Sequence, residues 1–261
     1  MSALSDLKES ILDEKTPLSG ILRRAKVLAT DLGSKELLGW VDKEMKGYAF
    51  DGDTVPSYRV LSTHSIGNFS GPFGSGIRNQ PIPTFNLSSK LQEWAGKHVL
   101  YDGIKAIEST VENKGDNQLI VQWPPNTVAA VGEKIFQDMV LMEAHKILSS
   151  AQLEQVLDTV RNRLLDFVID LEKTLPKDRT PTPQEIKESA AAIEHSVHTI
   201  ILGDNNYIVS NASGQQHVPI QKGAVNVANP SSEVSEGKTV NEKGKGVWGT
   251  VVGLWQAFFG S

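Results

Sequence analysis

Between residues 149 and 173 the chain carries its most constraining pattern. Ser149 and Gln152 stand three apart, the capping-box arrangement in which two side chains satisfy each other's free backbone donors at a helix start. Beyond them Leu153, Val156, Leu157, Val160, Leu164, Phe167, Val168 and Leu171 recur at helical spacing and form one apolar stripe. A long helix with one apolar face must bury that face against something else. The rest of the chain has to supply the surface that covers it.

The first fifty residues supply part of it. Leu4, Leu7, Ile11 and Leu12 are spaced for a short amphipathic helix. Thr16-Pro17 reads as a cap followed by a proline at the first helical position. The second helix then shows Leu18, Ile21, Leu22, Ala25, Leu28, Ala29 and Leu32 on one face, with Gly33 at its end. Ser34 caps a third helix bearing Leu37, Leu38, Val41 and Met45, flanked by Trp40 and stopped by Gly47. Three such helices in series are expected to pack as a small bundle.

The middle is mixed. Residues 55–61 have the β-branched and aromatic content of a strand. Residues 68–83, NFSGPFGSGIRNQPIP, are so rich in glycine and proline that they read as an ordered surface loop leading to residues 84–87. Helices are expected at 89–94 and 102–111, a strand at 117–123, and a helix capped by Asn126 running to about 136. Residues 138–147 fit strand or helix, and strand is preferred because they lead into the capping box. After a linker at 176–183, Thr182 and Glu185 form a second capping box, with Pro183 at the first position of a weaker helix to about His195.

The tail changes character again. Residues 197–209 read as a β-hairpin over Gly203-Asp204-Asn205-Asn206, and residues 211–240 are polar and poor in apolar groups. Residues 246–260, GVWGTVVGLWQAFFG, are abruptly apolar. The fold expected is α+β: an N-terminal helical bundle, a mixed middle with a small sheet, a long packing helix, and a β-hairpin with a polar tail ending in an amphipathic segment. The divisions fall at 1–195, 196–245 and 246–261.

Composition narrows the chemistry. The net charge of -5 and the lack of any dense Lys/Arg cluster argue against a dedicated nucleic-acid binder. With no cysteine there are no disulfides, no thiol catalysis and no Cys-ligated metal. A cytoplasmic setting suits this composition. The N-terminus, MSALSDLKES, is acidic and polar where a signal peptide is basic and then apolar. No apolar run approaches the roughly 20 residues a spanning helix needs.

Two places invite a functional reading. Trp40, Glu44 and Tyr48 lie at i, i+4 and i+8 on one helix face, within reach of Arg59. They could form a polar pocket extended by His64, Arg78 and Asn79, or a buried ion pair that fixes the helix against the sheet, and the ion pair is the preferred reading. At the other end, Trp248, Val251, Val252, Trp255, Phe258 and Phe259 make one apolar stripe if residues 246–260 are helical. Such a segment can dock on the chain or a second subunit, or lie in a membrane interface with Lys243 and Lys245 near headgroups. Within the hairpin, Ile200, Ile201, Asn205, Asn206 and Ile208 are candidates for an inter-subunit sheet, because flat polar strands pair readily with copies of themselves.

Other constellations are weaker. His195 and His198 follow Glu194, but a solvated helix end explains them more simply than a metal, so no metal or cofactor is expected. Gly71-Pro72-Phe73-Gly74-Ser75-Gly76 lacks the lysine of a phosphate-binding loop and reads as a turn with unusual backbone angles. Arg161, Arg163 and Asp166 read as a solvated helix face, with Arg163 paired to Asp166.

Several stretches together resemble the AbiTii domain family of bacterial abortive-infection proteins. They are LLGWVDKEMKGY, VPSYRVL, the loop GNFSGPFGSGIRNQPIP, YDGIKAIESTV, LDTVRNRLLDFVIDLE and the IILGDNN turn, covering roughly residues 3–206. The resemblance implies a role in phage defence and carries no catalytic motif. The function expected is defence by self-assembly, with residues 246–261 engaging another subunit or, on activation, the inner membrane surface. The partners expected are further copies of the chain, that surface and a phage-derived trigger. The alternative is a ribonuclease-type toxin with a polar site between Glu44 and Arg78.

Overall fold

In the computed structural model the described residues are 3–207, apart from 51, 114–117, 133–134, 177–178 and 204–205. The helices α1 (Ala3–Leu12), α2 (Leu18–Asp31) and α3 (Lys35–Lys46) follow the leucine spacing of the sequence. Ser34 caps α3 by accepting from the Leu37 N–H. Thr16 does not cap α2. Its hydroxyl donates to the Asp13 carboxylate at 2.6 Å, and Pro17 itself occupies the cap position without a side-chain bond. A distant residue does that work instead: Glu108 accepts from the Ser19 N–H at 3.1 Å.

Residues 55–61 form no continuous strand. Strand β1 (Val55–Pro56) gives way to a single 3-10 turn, Ser57–Arg59, before β2 (Val60–Ser62). The glycine-rich stretch is the larger departure. It contains β3 (His64–Ser70) and β4 (Gly76–Pro81), an antiparallel hairpin turning through Pro72–Gly74. Glycine and proline are used here for the turn, where Phe73 takes φ 56° and Gly74 φ 77°. Pro81 sits at the end of β4, which is an edge strand, so its missing N–H costs little.

Then come α4 (Ser89–Gly96), β5 (Lys97–Val99), α5 (Ile104–Glu112), β6 (Gln118–Gln122), α6 (Pro125–Val131) and β7 (Val140–Ser149). Pro124, not Asn126, precedes the first turn of α6, which ends well short of residue 136. The preference for strand before the capping box is met by β7. The main sheet is antiparallel in the order β4-β3-β7-β6, while β2 pairs with β5 alone.

Helix α7 (Ser150–Leu171) begins at the Ser149–Gln152 capping box, both halves of which are formed. Its stripe is buried against α1, α2, α5 and Leu148 in the larger core. A second core, around Phe69, Trp123 and Leu141, lies between the inner face of the sheet and α4 and α6. Helix α8 (Pro183–Ser196) opens at the Thr182–Glu185 box.

The Arg179 guanidinium, then the Thr182 N–H and hydroxyl, hold the Glu185 carboxyl down at about 2, from an ordinary value near 4.5. A carboxyl depressed in the folded state stabilises above its unfolded pKa and loses that contribution as pH falls through the folded one. The first turn of α8 is therefore expected to lose hydrogen-exchange protection as pH drops from about 4.5 towards 2. In Glu185→Gln that loss should disappear, which amide exchange measured across this range would check.

The expected hairpin at 197–209 is not formed. Val197–Leu202 is a π-helical continuation of α8, with Val197 and Ile201 fully buried. The chain then turns at Gly203, and β8 (Asn206–Tyr207) pairs antiparallel with β1. The reason is burial: Val197 and Ile201, four apart, fit a helical face against the core better than alternate strand faces. Residues 204–205 and 208–261 lie outside the described residues, and with them Asn205, Ile208, the polar tail, Lys243, Lys245 and the apolar segment 246–261.

Candidate functional site

The cluster at the end of α3 assembles from local causes. Trp40, Glu44 and Tyr48 face one way because they are four apart, and Gly47 ends the helix at φ 94° so that Tyr48 continues in the same direction. The 3-10 turn after β1 presents Tyr58 and Arg59 to them. Arg59 Nη2 donates to Glu44 Oε2 at 2.5 Å and Nε to Oε1 at 3.3 Å. Both tyrosine hydroxyls donate to the same Oε1, each at 2.6 Å. Trp40 Nε1 donates to the Tyr58 oxygen at 3.1 Å.

Both donors of Arg59 Nη1 are also taken. Nη1 donates to the Leu100 carbonyl at 3.0 Å and the Asp102 carbonyl at 2.8 Å. Arg59 also lies over the Tyr48 ring, 4.8 Å from its centroid. Glu44 and Arg59 are both 0% exposed. Burial first, and then the Glu44 carboxylate, push both tyrosine hydroxyls above the usual tyrosine range. Burial opposes the charge on Arg59, but Glu44 outweighs it and the net shift is upward.

The arrangement is chemically quiet. Neither hydroxyl can give up a proton near neutrality, and Arg59 stays a guanidinium. A groove of about 270 Å³ between residues 57–62 and α7 reaches Tyr58, while neither Glu44 nor Arg59 lines it. His64 and Arg78 are exposed on β3 and β4 of the other sheet, as is Asn79, and none of them bonds to the Glu44–Arg59 pair. The structure brings together Trp40, Glu44, Tyr48 and Arg59 and leaves the proposed extension apart. What results is a junction tying α3 to the 3-10 turn and to the segment before α5.

No local sequence signal shows how far this junction extends. Arg163 does not pair with Asp166. Its guanidinium stacks on Tyr58 at 4.9 Å and donates to the Ile200 and Ile201 carbonyls. Carbonyls near a helix end lack intrahelical partners and draw the guanidinium off the α7 surface. Arg161 likewise donates to the Ile11, Asp13 and Thr16 carbonyls at the α1–α2 turn. Spacing along α7 shows only that Arg163 and Asp166 can meet, and nothing local announces a carbonyl 37 residues away.

Two further polar features lie elsewhere. Lys146 is buried on β7, and its ammonium donates to the Trp94 and Lys97 carbonyls and sits 3.8 Å from the Trp94 ring centre. Burial lowers its pKa to about 8, while those three partners all favour the ammonium. At the other pole Glu36, Glu194 and His198 come together, with one ligand atom of each within 4.8 Å of the others. His195, the neighbour considered from sequence, is not part of that group.

The described residues form an α+β domain whose polar junction is sealed from solvent. The sequence model of the AbiTii family matches residues 2–195, and the chain belongs to that family. It is thus a protein of phage defence by abortive infection. No curated protein and no solved structure matches it. Among the described residues no helix is long and apolar enough to cross a membrane.

Proposed function

We propose that this AbiTii protein acts in abortive infection by self-assembly, with residues 246–261 as the contact that joins copies or meets a membrane surface. One observation carries the reading. The Glu44–Arg59 cluster is enclosed, with both members 0% exposed and bonded to each other, to two tyrosines and to two backbone carbonyls. Trp248, Val251, Val252, Trp255, Phe258 and Phe259 then carry the strongest surface-seeking pattern in the sequence. Ile201 is buried and Asn206 pairs with Pro56 of the same chain, which favours residues 246–261 over residues 200–208 as the contact.

The ribonuclease alternative has less behind it, because a substrate phosphate could reach Arg59 only by displacing the buried Glu44 carboxylate. The test is removal of residues 246–261, followed by mass measurement, leakage of anionic vesicles, and growth of cells expressing the chain. Loss of growth arrest together with loss of assembly or leakage is the expected result. A truncated chain that still arrests growth and degrades RNA would establish the ribonuclease reading instead.

A further inference from the structure

We propose that Glu36, Glu194 and His198 form a site for a divalent transition metal such as Zn²⁺, which clamps the last helical turns of the domain onto α3. The inference does not depend on the assembly reading. The three side chains come from two elements that are independently fixed. Glu36 stands in the first turn of α3, behind the Ser34 cap. Glu194 is in the last turns of α8, and His198 follows four residues later in the π-helical segment. That segment is anchored by buried Val197 and Ile201, by Arg163 on the Ile200 and Ile201 carbonyls, and by the Gly203 N–H donating to the His198 carbonyl. The backbones are held while the three ligand side chains stay open or half-open to solvent.

The geometry is close to what an ion requires. His198 Nε2 lies 2.9 Å from Glu36 Oε2, and all three ligand atoms fall within 4.8 Å of one another. Two ligands bound at about 2.1 Å to one zinc ion sit roughly 3–3.5 Å apart, so small side-chain rotations close the set. Among the described residues no lysine or arginine pairs with either carboxylate, which leaves two negative charges facing one imidazole. One nitrogen and two carboxylates favour ions that accept imidazole over Mg²⁺ or Ca²⁺, and water completes the coordination shell. The π-helical register also fits, since such segments are frequent at functional sites.

The full-length chain, stripped with chelator, should be titrated with ZnCl₂ by calorimetry. One zinc per chain is expected, with slower amide exchange over Val197–Leu202 when zinc is bound. His198→Ala and Glu36→Gln, both at exposed positions, should each weaken binding at least tenfold while the circular dichroism of the chain stays unchanged. His195→Ala should bind as the wild type does. The proposal is overturned if the wild type takes up no zinc, if His198→Ala binds equally well, if His195→Ala loses as much, or if Mg²⁺ binds as tightly as Zn²⁺.

Discussion

Arg59→Ala is expected to destabilise the domain by about 3–5 kcal/mol, because it leaves the Glu44 carboxylate buried without its counter-charge. That is a large part of the roughly 5–15 kcal/mol that holds a domain folded. The variant also removes the Nη1 donor from the Leu100 and Asp102 carbonyls, bonded at 3.0 and 2.8 Å. Glu44→Gln should be nearly as damaging, since it strands the guanidinium. The double variant Glu44→Leu with Arg59→Met removes both charges and should recover part of the loss. It cannot recover all of it, because Tyr48 and Tyr58 lose their shared acceptor. Urea unfolding midpoints for the singles and the double check this. A single variant within about 1 kcal/mol of the wild type would contradict the buried pairing.

Gly47→Ala is the second large effect, and Gly39→Ala in the same helix is its control. Gly47 holds φ 94° and ψ 173°, a region closed to residues with a side chain. A Cβ there would lie 2.5 Å from the Tyr101 carbonyl oxygen. That oxygen is backbone, already bonded by the Tyr48 N–H at 2.8 Å, so it cannot swing away. Strain of about 1–3 kcal/mol adds to an overpacking cost of similar size. At Gly39 nothing lies within 4 Å of an added Cβ, and the residue is exposed inside α3. There alanine should stabilise by roughly 0.5–1 kcal/mol through its better helix propensity. Thermal unfolding of the two variants should therefore move in opposite directions.

These two sites differ in how far the sequence announced them. The i, i+4, i+8 spacing placed Trp40, Glu44 and Tyr48 on one face, and Arg59 was close enough in the chain to be matched with them. Their complete enclosure was not legible, because it depends on segment 100–102 arriving with two free carbonyls. The same limit explains Arg163. Its partner along the helix was Asp166, but the tertiary fold offered Tyr58 and the carbonyls of a segment that local pattern assigned to a hairpin.

The departures from local pattern at residues 68–83 and 197–209 have a related cause. Glycine and proline in residues 68–83 look like interruption when counted, yet in a hairpin they occupy the turn and an edge strand, where they cost little. At 197–209 short apolar runs fit strand or helix equally well by composition. Burial against α3 and α7 selected the helix.

By itself, the sequence determined the helices whose apolar stripes or capping boxes are complete within a few turns: α1 to α3 from their leucine spacing, α7 from its Ser149–Gln152 box, and α8 from Thr182–Glu185. Those signals are local, made by residues three or four apart, so they can be read one element at a time. Only the tertiary structure decided the partners of the polar groups. It sealed Glu44 with Arg59, sent Arg163 to distant carbonyls, kept His64 and Arg78 away from the junction, and set Glu36 beside Glu194 and His198. A charge or a free carbonyl is satisfied by whatever the fold brings near it, and nearness across 150 residues is not written in any window of the chain.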